Sequence, residues 1–302
     1  MHFMYDASRS SLYQPGGASS FFDFDQDQIN NESVLCAEMA RLAYVKNTST
    51  LVHQLSKVMF DLVVADGYRQ NGTQVFIAQK KTSTTNTMIV SFRGTEADDP
   101  TDLFTDANFL KTEWRNKNNV VVGKVHTGFV NALMTPSELD SKKPLLVWIS
   151  DQIERYLTGD TKILITGHSL GAALATLMTG FVANGGNQER IALYTFGSPA
   201  VGDVEFQKTF ENIRHTRYVN CCDLVTQVPP ELIGYRHSGR VKYINQAGEI
   251  FDSPSERYIE DDRFGAFSNY LKDYAFMKGT VAVRSLADHS PVNYVSAICK
   301  NS

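Results

Sequence analysis

The stretch that most restricts the fold is an apolar run that meets a helix-like run at a serine flanked by glycines. The run "KILIT" (162–166) has the composition of a buried strand, and "GAALATLMTGFVAN" (171–184) has that of a buried helix. The G-x-S-x-G pattern between them predicts a sharp turn from strand into helix, because its glycines let the two backbones approach closely. Such a turn holds the serine hydroxyl at the carboxyl end of a strand, as a nucleophile requires. The residues of the turn are Gly167, His168, Ser169, Leu170 and Gly171.

Strand-like and helix-like runs alternate along most of the chain. The strand-like runs are "TQVFIAQKK" (73–81), "NTMIVSFRG" (86–94), "IALYTFG" (191–197) and "TRYVN" (216–220). The helix-like runs are "NESVLCAEMARLAYV" (31–45), "PLLVWISDQIERYL" (144–157) and "DVEFQKTFEN" (203–212). The first two strand-like runs, and the segment "RVKYINQAGEIF" (240–251), are typical of hairpins. The alternation predicts an α/β fold whose central, mostly parallel sheet has helices on both faces.

The length and composition fit one folded domain with an N-terminal extension. A chain of 302 residues with 42% hydrophobic residues can bury a sizeable core. Residues 1–27 combine Ser, Gly, Gln and Asp with isolated aromatic residues, so we expect a loosely ordered arm that docks its phenylalanines. The expected single domain covers residues 28–302.

Charge and hydropathy argue against two classes of partner. Lys and Arg number 29 against 33 Asp and Glu, so the chain has no basic excess with which to bind nucleic acid. No apolar run approaches the roughly 18 residues typical of a membrane-spanning helix, which predicts that the chain has no transmembrane segment.

The N-terminus lacks the pattern of a Sec signal peptide, which is a cationic stretch followed by an apolar one. We therefore expect a cytoplasmic protein, export by a route other than Sec, or an already mature chain.

The four cysteines lack the spacing of a metal site. Cys36 and Cys299 stand alone, Cys221 and Cys222 are adjacent, and no CxxC pair occurs in the sequence. Buried free thiols are the expected state. A disulfide between Cys36 and Cys299 would join the first helix to the C-terminus, and the sequence leaves that alternative open.

A serine nucleophile with an ordinary hydroxyl pKa needs a general base. In folds with this turn the partners follow the serine in the order acid, then histidine, so the base is sought downstream of Ser169. His215 begins a strand and His237 lies in the polar stretch "GYRHSGR", where a solvated or hydrogen-bonded role is expected. His289, in "LADHSPVNY", is the favoured base because a loop before the final helix can place its imidazole over the sheet.

The base in turn needs an acid that orients its ring. Asp223 follows the strand "TRYVN" and is therefore expected near the carboxyl ends of the strands, which favours it as that acid. Asp203 is expected to cap the helix that begins at Val204. Asp288 adjoins His289 and would have to fold back to orient its ring, so a surface or turn position is expected for it.

Two backbone N–H groups are candidates for an oxyanion hole. The N–H of Leu170 lies at the positive end of the predicted helix dipole. Thr95 follows the strand run "NTMIVSFRG", so both its backbone N–H and its hydroxyl are candidates for the second donor. A plain polar turn after the strand is the alternative interpretation of Thr95.

The segment "ADDPTDLFTDANFLKTEW" (97–114) mixes acidic residues with large apolar ones. It can form a surface helix whose apolar face covers the site and moves away at a lipid interface. An ordinary surface helix packed on the core shows the same amphipathic pattern, so both interpretations stay open.

Six motifs, taken together, resemble the class 3, or fungal-type, triacylglycerol lipase family. They are "SFRGT" (91–95), "VHTGF" (125–129), "ITGHSLGAALATL" (165–177), "TFGSPAVGD" (195–203), "CDLVTQVPP" (222–230) and "DHSPVNY" (288–294). They stand in the family's order over about residues 32–298. The resemblance implies an α/β-hydrolase fold, no metal or organic cofactor, and hydrolysis of carboxylic esters in lipids at a lipid–water interface.

The resemblance also implies roles for individual residues. It assigns the nucleophile to Ser169, the acid to Asp223, the base to His289, and the oxyanion hole to Thr95 and Leu170. It implies a lid over residues 98–110, in which Leu103 stands where the family usually has tryptophan. A phospholipase A1 or an acyltransferase could use the same three catalytic residues, and a catalytically silent scaffold that binds partners is a further alternative.

Overall fold

An eight-stranded sheet forms the centre of the molecule. The computed structural model describes residues 5–13, 21–68, 72–83, 85–96, 109–156, 159–183, 188–274 and 282–302. The strands are β1 (Asp61–Asp66), β2 (Val75–Lys81), β3 (Asn86–Phe92), β4 (Lys111–Arg115), β5 (Val121–His126), β6 (Lys162–His168), β7 (Ile191–Phe196), β8 (Arg214–Asn220), β9 (Arg240–Ile244) and β10 (Ile250–Asp252). The main sheet has the order β1-β2-β3-β6-β7-β8-β9-β10, and β4 pairs with β5 in a separate ribbon.

The α-helices connect and flank these strands. Within the described residues they are Gln26–Asn30, Glu32–Leu42, Thr48–Ser56, Thr127–Met134, Leu145–Tyr156, Leu170–Val182, Val204–Lys208, Glu256–Tyr274, Arg284–His289 and Pro291–Lys300. Short 3-10 turns lie at Arg9–Ser11, Gln188–Arg190, Leu224–Gln227 and Glu231–Ile233. In the part of the chain that the structure describes, no helix combines the length and apolar composition needed to cross a membrane.

Each face of the main sheet has its own hydrophobic core. Successive side chains of a strand point to opposite faces, so in β6 Ile163 and Ile165 enter one core while Leu164 enters the other. All six residues of β7 are buried, as expected for a central parallel strand that is covered on both faces. The helix Leu170–Val182 packs on the first face, and the helices Glu32–Leu42 and Pro291–Lys300 pack on the second.

The direction of the strands brings the candidate site residues to one edge of the sheet. β3, β6, β7, β8 and β9 run parallel to one another. The carboxyl ends of neighbouring parallel strands meet at the same edge, where ligands of open α/β sheets bind. Thr95, Ser169 and Asp223 follow β3, β6 and β8 by one to three residues, so they lie along this edge.

The predicted α/β class is confirmed, and so are both predicted hairpins. β2 pairs antiparallel with β3, and β9 pairs antiparallel with β10. The capping-type start of the first long helix is also correct, because the Asn31 side chain accepts a hydrogen bond from the backbone N–H of Ser33. Asp203 caps the helix Val204–Lys208 as predicted, since its carboxylate accepts from the backbone N–H of Phe206.

The helical interpretation of segment 97–114 is wrong at its C-terminal end. Residues 111–114 belong to β4, which pairs antiparallel with β5. Trp114 is buried and its ring meets that of Phe181 edge-on, with 6.3 Å between the centroids. The helical interpretation placed Trp114 on the apolar face of a helix. In the structure Trp114 is instead the one core-facing residue of a strand. Residues 97–108, and with them most of the predicted lid, lie outside the described residues.

The described parts of the N-terminal arm contact the rest of the chain. Phe21 and Phe22 are buried, and the guanidinium of Arg41 lies 4.0 Å from the centroid of the Phe21 ring. Residues 5–13 are hydrogen bonded to the C-terminal helices. The Asp6 backbone N–H donates to Asn293 Oδ1 (2.7 Å), and the Asn293 side chain donates back to the Asp6 carbonyl (2.8 Å).

Candidate active site

The turn at Ser169 depends on close contact between a strand and the following helix. Ser169 adopts φ 58° and ψ −130°, a backbone conformation that is unusual for any residue other than glycine and is typical of functional sites. A Cβ added to Gly167 would lie 2.3 Å from the Gly171 carbonyl oxygen, and one added to Gly171 would lie 2.2 Å from that of Phe92. Only glycine fits at these two positions, which explains the pattern found in the sequence.

Ser169, His289 and Asp223 form a continuous chain of hydrogen bonds. Ser169 Oγ lies 2.9 Å from His289 Nε2, and His289 Nδ1 lies 3.0 Å from each carboxylate oxygen of Asp223. A carboxylate only accepts, so Nδ1 carries the ring proton and Nε2 is free to accept from the serine hydroxyl. All three residues are completely buried. The structure thus brings together the three residues predicted as nucleophile, base and acid.

The Asp223 carboxylate is fixed by contacts on both oxygens. Oδ1 accepts from the Val225 backbone N–H (2.9 Å), and Oδ2 accepts from the Tyr294 hydroxyl (2.6 Å). The hydroxyl of Tyr294 itself accepts from the backbone N–H of Asn220 (3.0 Å). Burial, reinforced by Asp223, raises the pKa of Tyr294 well above its usual range, so this hydroxyl stays protonated and donates. Sequence reasoning missed Tyr294, which stands inside the motif "DHSPVNY".

His289 is the last residue of the helix Arg284–His289, so its predicted position in a loop is wrong. The imidazole is thus carried by the end of a helix, and Ser290 alone separates this helix from the next one, Pro291–Lys300.

His168, predicted as part of the turn, supports the backbone at His289. Its Nε2 donates to the His289 carbonyl (2.6 Å), and its Nδ1 accepts from the Tyr44 hydroxyl (2.7 Å). Burial lowers the pKa of His168 well below its usual range, which keeps the ring neutral for both bonds.

Gly197 allows the Asp223 and His289 side chains to meet. It follows β7 with φ 59°. A Cβ at this position would lie 2.8 Å from Asp223 Oδ2 and 3.1 Å from His289 Nδ1. Any side chain would therefore displace Asp223 or His289. The motif "TFGSPAVGD" contains this glycine, but its role depends on two residues far away in sequence.

Of the two predicted oxyanion donors, Leu170 directly follows the serine, and Thr95 follows a glycine that packs against it. Leu170 is the first residue of the helix Leu170–Val182, so its N–H has no acceptor within the helix. A Cβ added to Gly94 would lie 3.1 Å from Ser169 Cβ and 2.6 Å from the His168 carbonyl oxygen, so the chain after β3 passes close to the serine. Thr95 is the next residue and is half-buried. Its role, like that of Leu170, stays a prediction.

The rejected histidines have hydrogen-bonded positions away from the serine, as predicted. His215 Nε2 lies 3.0 Å from Thr195 Oγ1, and His237 Nε2 donates to the Thr226 carbonyl (2.8 Å). Burial lowers the pKa of His215 to about 3, so this ring is neutral and structural.

The predicted surface position of Asp288 is wrong. Its side chain is completely buried, because three donors satisfy the carboxylate. These donors are the Tyr5 hydroxyl (2.8 Å), the Arg284 guanidinium (2.8 Å) and the backbone N–H of Cys222 (2.9 Å).

All four cysteines lie in the described part of the chain and are free thiols, so Cys36 and Cys299 are not bridged.

These features define a class of protein. A mostly parallel sheet, a serine in the tight turn after a central strand, and an aspartate and histidine that follow it in chain order are the marks of the α/β-hydrolase fold. Residues 89–233 match the family model described as Lipase (class 3). The resemblance to the class 3 lipase family is thus confirmed over residues 89–233.

Similar proteins agree with this assignment. The chain is 30% identical over 250 residues to a triacylglycerol lipase of Arabidopsis thaliana, an alignment that covers 68% of this chain and 47% of the relative. It is 35% identical over 134 residues to a phospholipase A1 of Arabidopsis thaliana, which covers 38% of this chain and 32% of the relative. The chain thus spans less than half the length of these curated relatives. A crystal structure of a lipase from Rhizopus microsporus var. chinensis is similar with a TM-score of 0.55 and 25% identity, covering 80% of this chain and 83% of that one.

Proposed function

We propose that this chain is a serine hydrolase that cleaves carboxylic ester bonds of lipids through an acyl-enzyme. Ser169 is the nucleophile, His289 the general base and Asp223 the orienting acid in this proposal. The observation that carries it is the unbroken path of hydrogen bonds from Ser169 Oγ through the His289 ring to Asp223. The match of residues 89–233 to the class 3 lipase family model supports the choice of an ester substrate.

The reaction follows from the proton positions. Ser169 Oγ attacks the ester carbonyl carbon while its proton passes to His289 Nε2. The tetrahedral oxyanion accepts hydrogen bonds from Leu170 and Thr95, and the imidazolium is stabilised by Asp223. His289 then protonates the leaving alkoxide, which departs as an alcohol and leaves the acyl-enzyme. A water molecule that His289 deprotonates releases the fatty acid and restores the serine.

Substrate access requires a movement, because Ser169 and His289 are completely buried. Our candidate for the moving part is the predicted lid over residues 98–110, on the sequence argument alone. Of this range the structure describes Phe109 and Leu110, whose carbonyls lie 3.2 and 3.5 Å from the Tyr235 hydroxyl. Closure of such a segment over a bound ester would exclude bulk water from the reaction.

Triacylglycerol is the proposed substrate, and a phospholipid is the second candidate. The triacylglycerol lipase relative aligns with 68% of this chain, whereas the phospholipase A1 relative aligns with 38%. Both candidates present the same scissile ester to Ser169, so the choice depends on the head group that the surrounding loops accept.

A panel of esters and one pair of serine variants test the proposal. Emulsified trioctanoylglycerol, phosphatidylcholine vesicles and a short-chain nitrophenyl ester are offered to the wild type, to Ser169→Ala and to Ser150→Ala. Ser150 is the matched control, since it is buried and its hydroxyl has no hydrogen-bond partner in the structure. Ser169→Ala is expected to lose roughly 10⁴-fold or more in kcat on every substrate that the wild type cleaves. Retention of wild-type rates by Ser169→Ala would overturn the mechanism.

A further inference from the structure

Two adjacent thiols immediately precede the proposed catalytic acid. Cys221 Sγ and Cys222 Sγ lie 3.7 Å apart, and Asp223 is the next residue. Cys221 is completely buried, whereas Cys222 is half-buried. Neither thiol contacts the Ser169–His289–Asp223 path, so the proposed reaction leaves this pair without a role.

The two sulfur atoms differ in their readiness to ionise. The hydrogen bond with Cys221 lowers the pKa of the Cys222 thiol, and the nearby guanidinium groups of Arg284 and Arg263 act in the same direction. The same hydrogen bond, together with burial, raises the pKa of Cys221, whose Sγ also lies 3.2 Å from Asp262 Oδ2. The more accessible sulfur is therefore also the better nucleophile, with a protonated partner thiol in contact with it.

We propose that Cys221 and Cys222 are a reversible oxidation site whose disulfide lowers the activity of the neighbouring Asp223–His289 pair. This inference rests on the proposed function, because it concerns regulation of the same site. The oxidant is a peroxide.

The chemistry balances with one peroxide molecule for each disulfide. The Cys222 thiolate attacks one peroxide oxygen, which cleaves the O–O bond and gives a sulfenic acid and hydroxide. Cys221 Sγ then attacks Cys222 Sγ, and the sulfenic oxygen leaves as water with the proton of Cys221. The proton that Cys222 released on ionising neutralises the hydroxide, so in total two thiols are oxidised to a disulfide, one hydrogen peroxide is reduced, and two water molecules form.

A disulfide between neighbours in the chain is strained, and the strain falls beside the acid. Neighbouring Cα atoms are about 3.8 Å apart across a trans peptide, whereas disulfides usually join Cα atoms about 4.4–6.8 Å apart. Closing the ring must therefore distort the Cys221–Cys222 peptide, and strained disulfides are also the easily reduced ones. The N–H of that peptide donates to Asp288, the residue before His289, so the distortion reaches both the acid and the base.

A bound metal ion explains this cluster less well. Among the described residues, one group of side chains could together ligate an ion: Cys221, Cys222 and Asp288, whose ligand atoms lie within 4.8 Å of one another. The Asp288 carboxylate already accepts from Tyr5, Arg284 and the Cys222 backbone. A cation would have to displace the guanidinium of Arg284 from that carboxylate, which favours thiol chemistry over coordination.

The test follows activity and peptide mass together. Fully reduced protein is assayed on a short-chain nitrophenyl ester, treated with hydrogen peroxide, assayed again, and then reduced with dithiothreitol. Both cysteines lie in the tryptic peptide 218–236, so the disulfide appears as the loss of two hydrogen atoms from that peptide. We expect kcat/KM to fall roughly 10- to 100-fold, as displacement of a catalytic group by about 1 Å does, and to recover on reduction.

Cysteine variants separate this site from general oxidation. Cys222→Ser and Cys221→Ser should keep their activity in peroxide, whereas Cys299→Ser, which keeps the pair, should respond like the wild type. The inference is overturned if the peptide shows no disulfide, if the disulfide forms without loss of activity, or if both pair variants are inactivated like the wild type.

Failure of the proposed function would look different. Reduced protein that neither cleaves any ester nor reacts with a fluorophosphonate at Ser169 would contradict the function before any oxidant is added. Reduced protein that is active but insensitive to peroxide would contradict the oxidation site alone.

Discussion

At the scale of single residues, Tyr294 bears directly on how well Asp223 can orient His289, the proposed base. Its hydroxyl donates to Asp223 Oδ2 at 2.6 Å, and a hydrogen bond to a charged group contributes about 1.5–3 kcal/mol. Tyr294→Phe should therefore lower kcat by roughly 10-fold or more while KM stays near the wild-type value, because the Tyr294 ring is buried behind Asp223.

Steady-state kinetics on a nitrophenyl ester check this prediction. Tyr68→Phe is the matched control, since the buried hydroxyl of Tyr68 has no hydrogen-bond partner in the structure. An unchanged kcat in Tyr294→Phe, or an equal loss in both variants, would mean that this contact does not position the acid.

The sequence could identify Ser169, Asp223 and His289 as candidates because chain order and strand ends restrict where such residues occur. It could not identify Tyr294 or Gly197, since their roles depend on contacts between segments that are distant in sequence. Asp288 was misjudged for the same reason. Its carboxylate is buried only because Tyr5, some 283 positions away, and Arg284 satisfy it.

At the scale of elements, the contact between β3 and the helix Leu170–Val182 sets the position of the serine. A Cβ at Gly171 would lie 2.2 Å from the backbone oxygen of Phe92, and backbone cannot move aside as a flexible side chain can. Gly171→Ala should therefore lower the free energy of unfolding by about 1–3 kcal/mol, as overpacking does, and reduce activity as well.

Urea denaturation of Gly171→Ala and Gly72→Ala measures this effect. A Cβ at Gly72 would meet nothing within 4 Å, so this control should unfold near the wild-type midpoint. Equal stability of both variants would show that the helix can slide away from β3 at little cost.

Elements with a clear period could be predicted, and β4 shows why others could not. The central strands β6 and β7 have apolar runs, because they are buried on both faces. Lys111–Arg115 has one buried residue, Trp114, and its partner β5 comes from a later segment. A single core-facing residue carries no period, so helix and strand were equally compatible with its sequence.

At the scale of the whole molecule, three histidines with strongly lowered pKa values link stability to pH. Burial lowers the pKa of His215 to about 3, and it lowers those of His168 and His237 well below their usual range. In the unfolded chain these rings become protonated as the pH falls through about 6.5, the ordinary pKa of histidine. In the folded chain they stay neutral in this pH range. Their contribution to stability is therefore complete above about pH 6.5 and is lost as the pH falls, by about 1 kcal/mol per pH unit for each ring.

Unfolding free energies measured in urea at pH 7 and pH 5 check the sign. The wild type should be less stable at pH 5, and His215→Gln should show a smaller difference between the two pH values. His53 is exposed, so His53→Gln should leave the difference unchanged. A wild type that is equally stable at both pH values would contradict the assignment of neutral rings.

Ser169 is proposed to be a nucleophile that His289 activates. Treatment with a fluorophosphonate, followed by mass analysis of the tryptic peptide 163–190, tests this proposal directly. We expect one covalent adduct per chain, located on Ser169, absent from Ser169→Ala and formed far more slowly by His289→Ala. Labelling at another residue, or equal labelling of Ser169→Ala and the wild type, would contradict it.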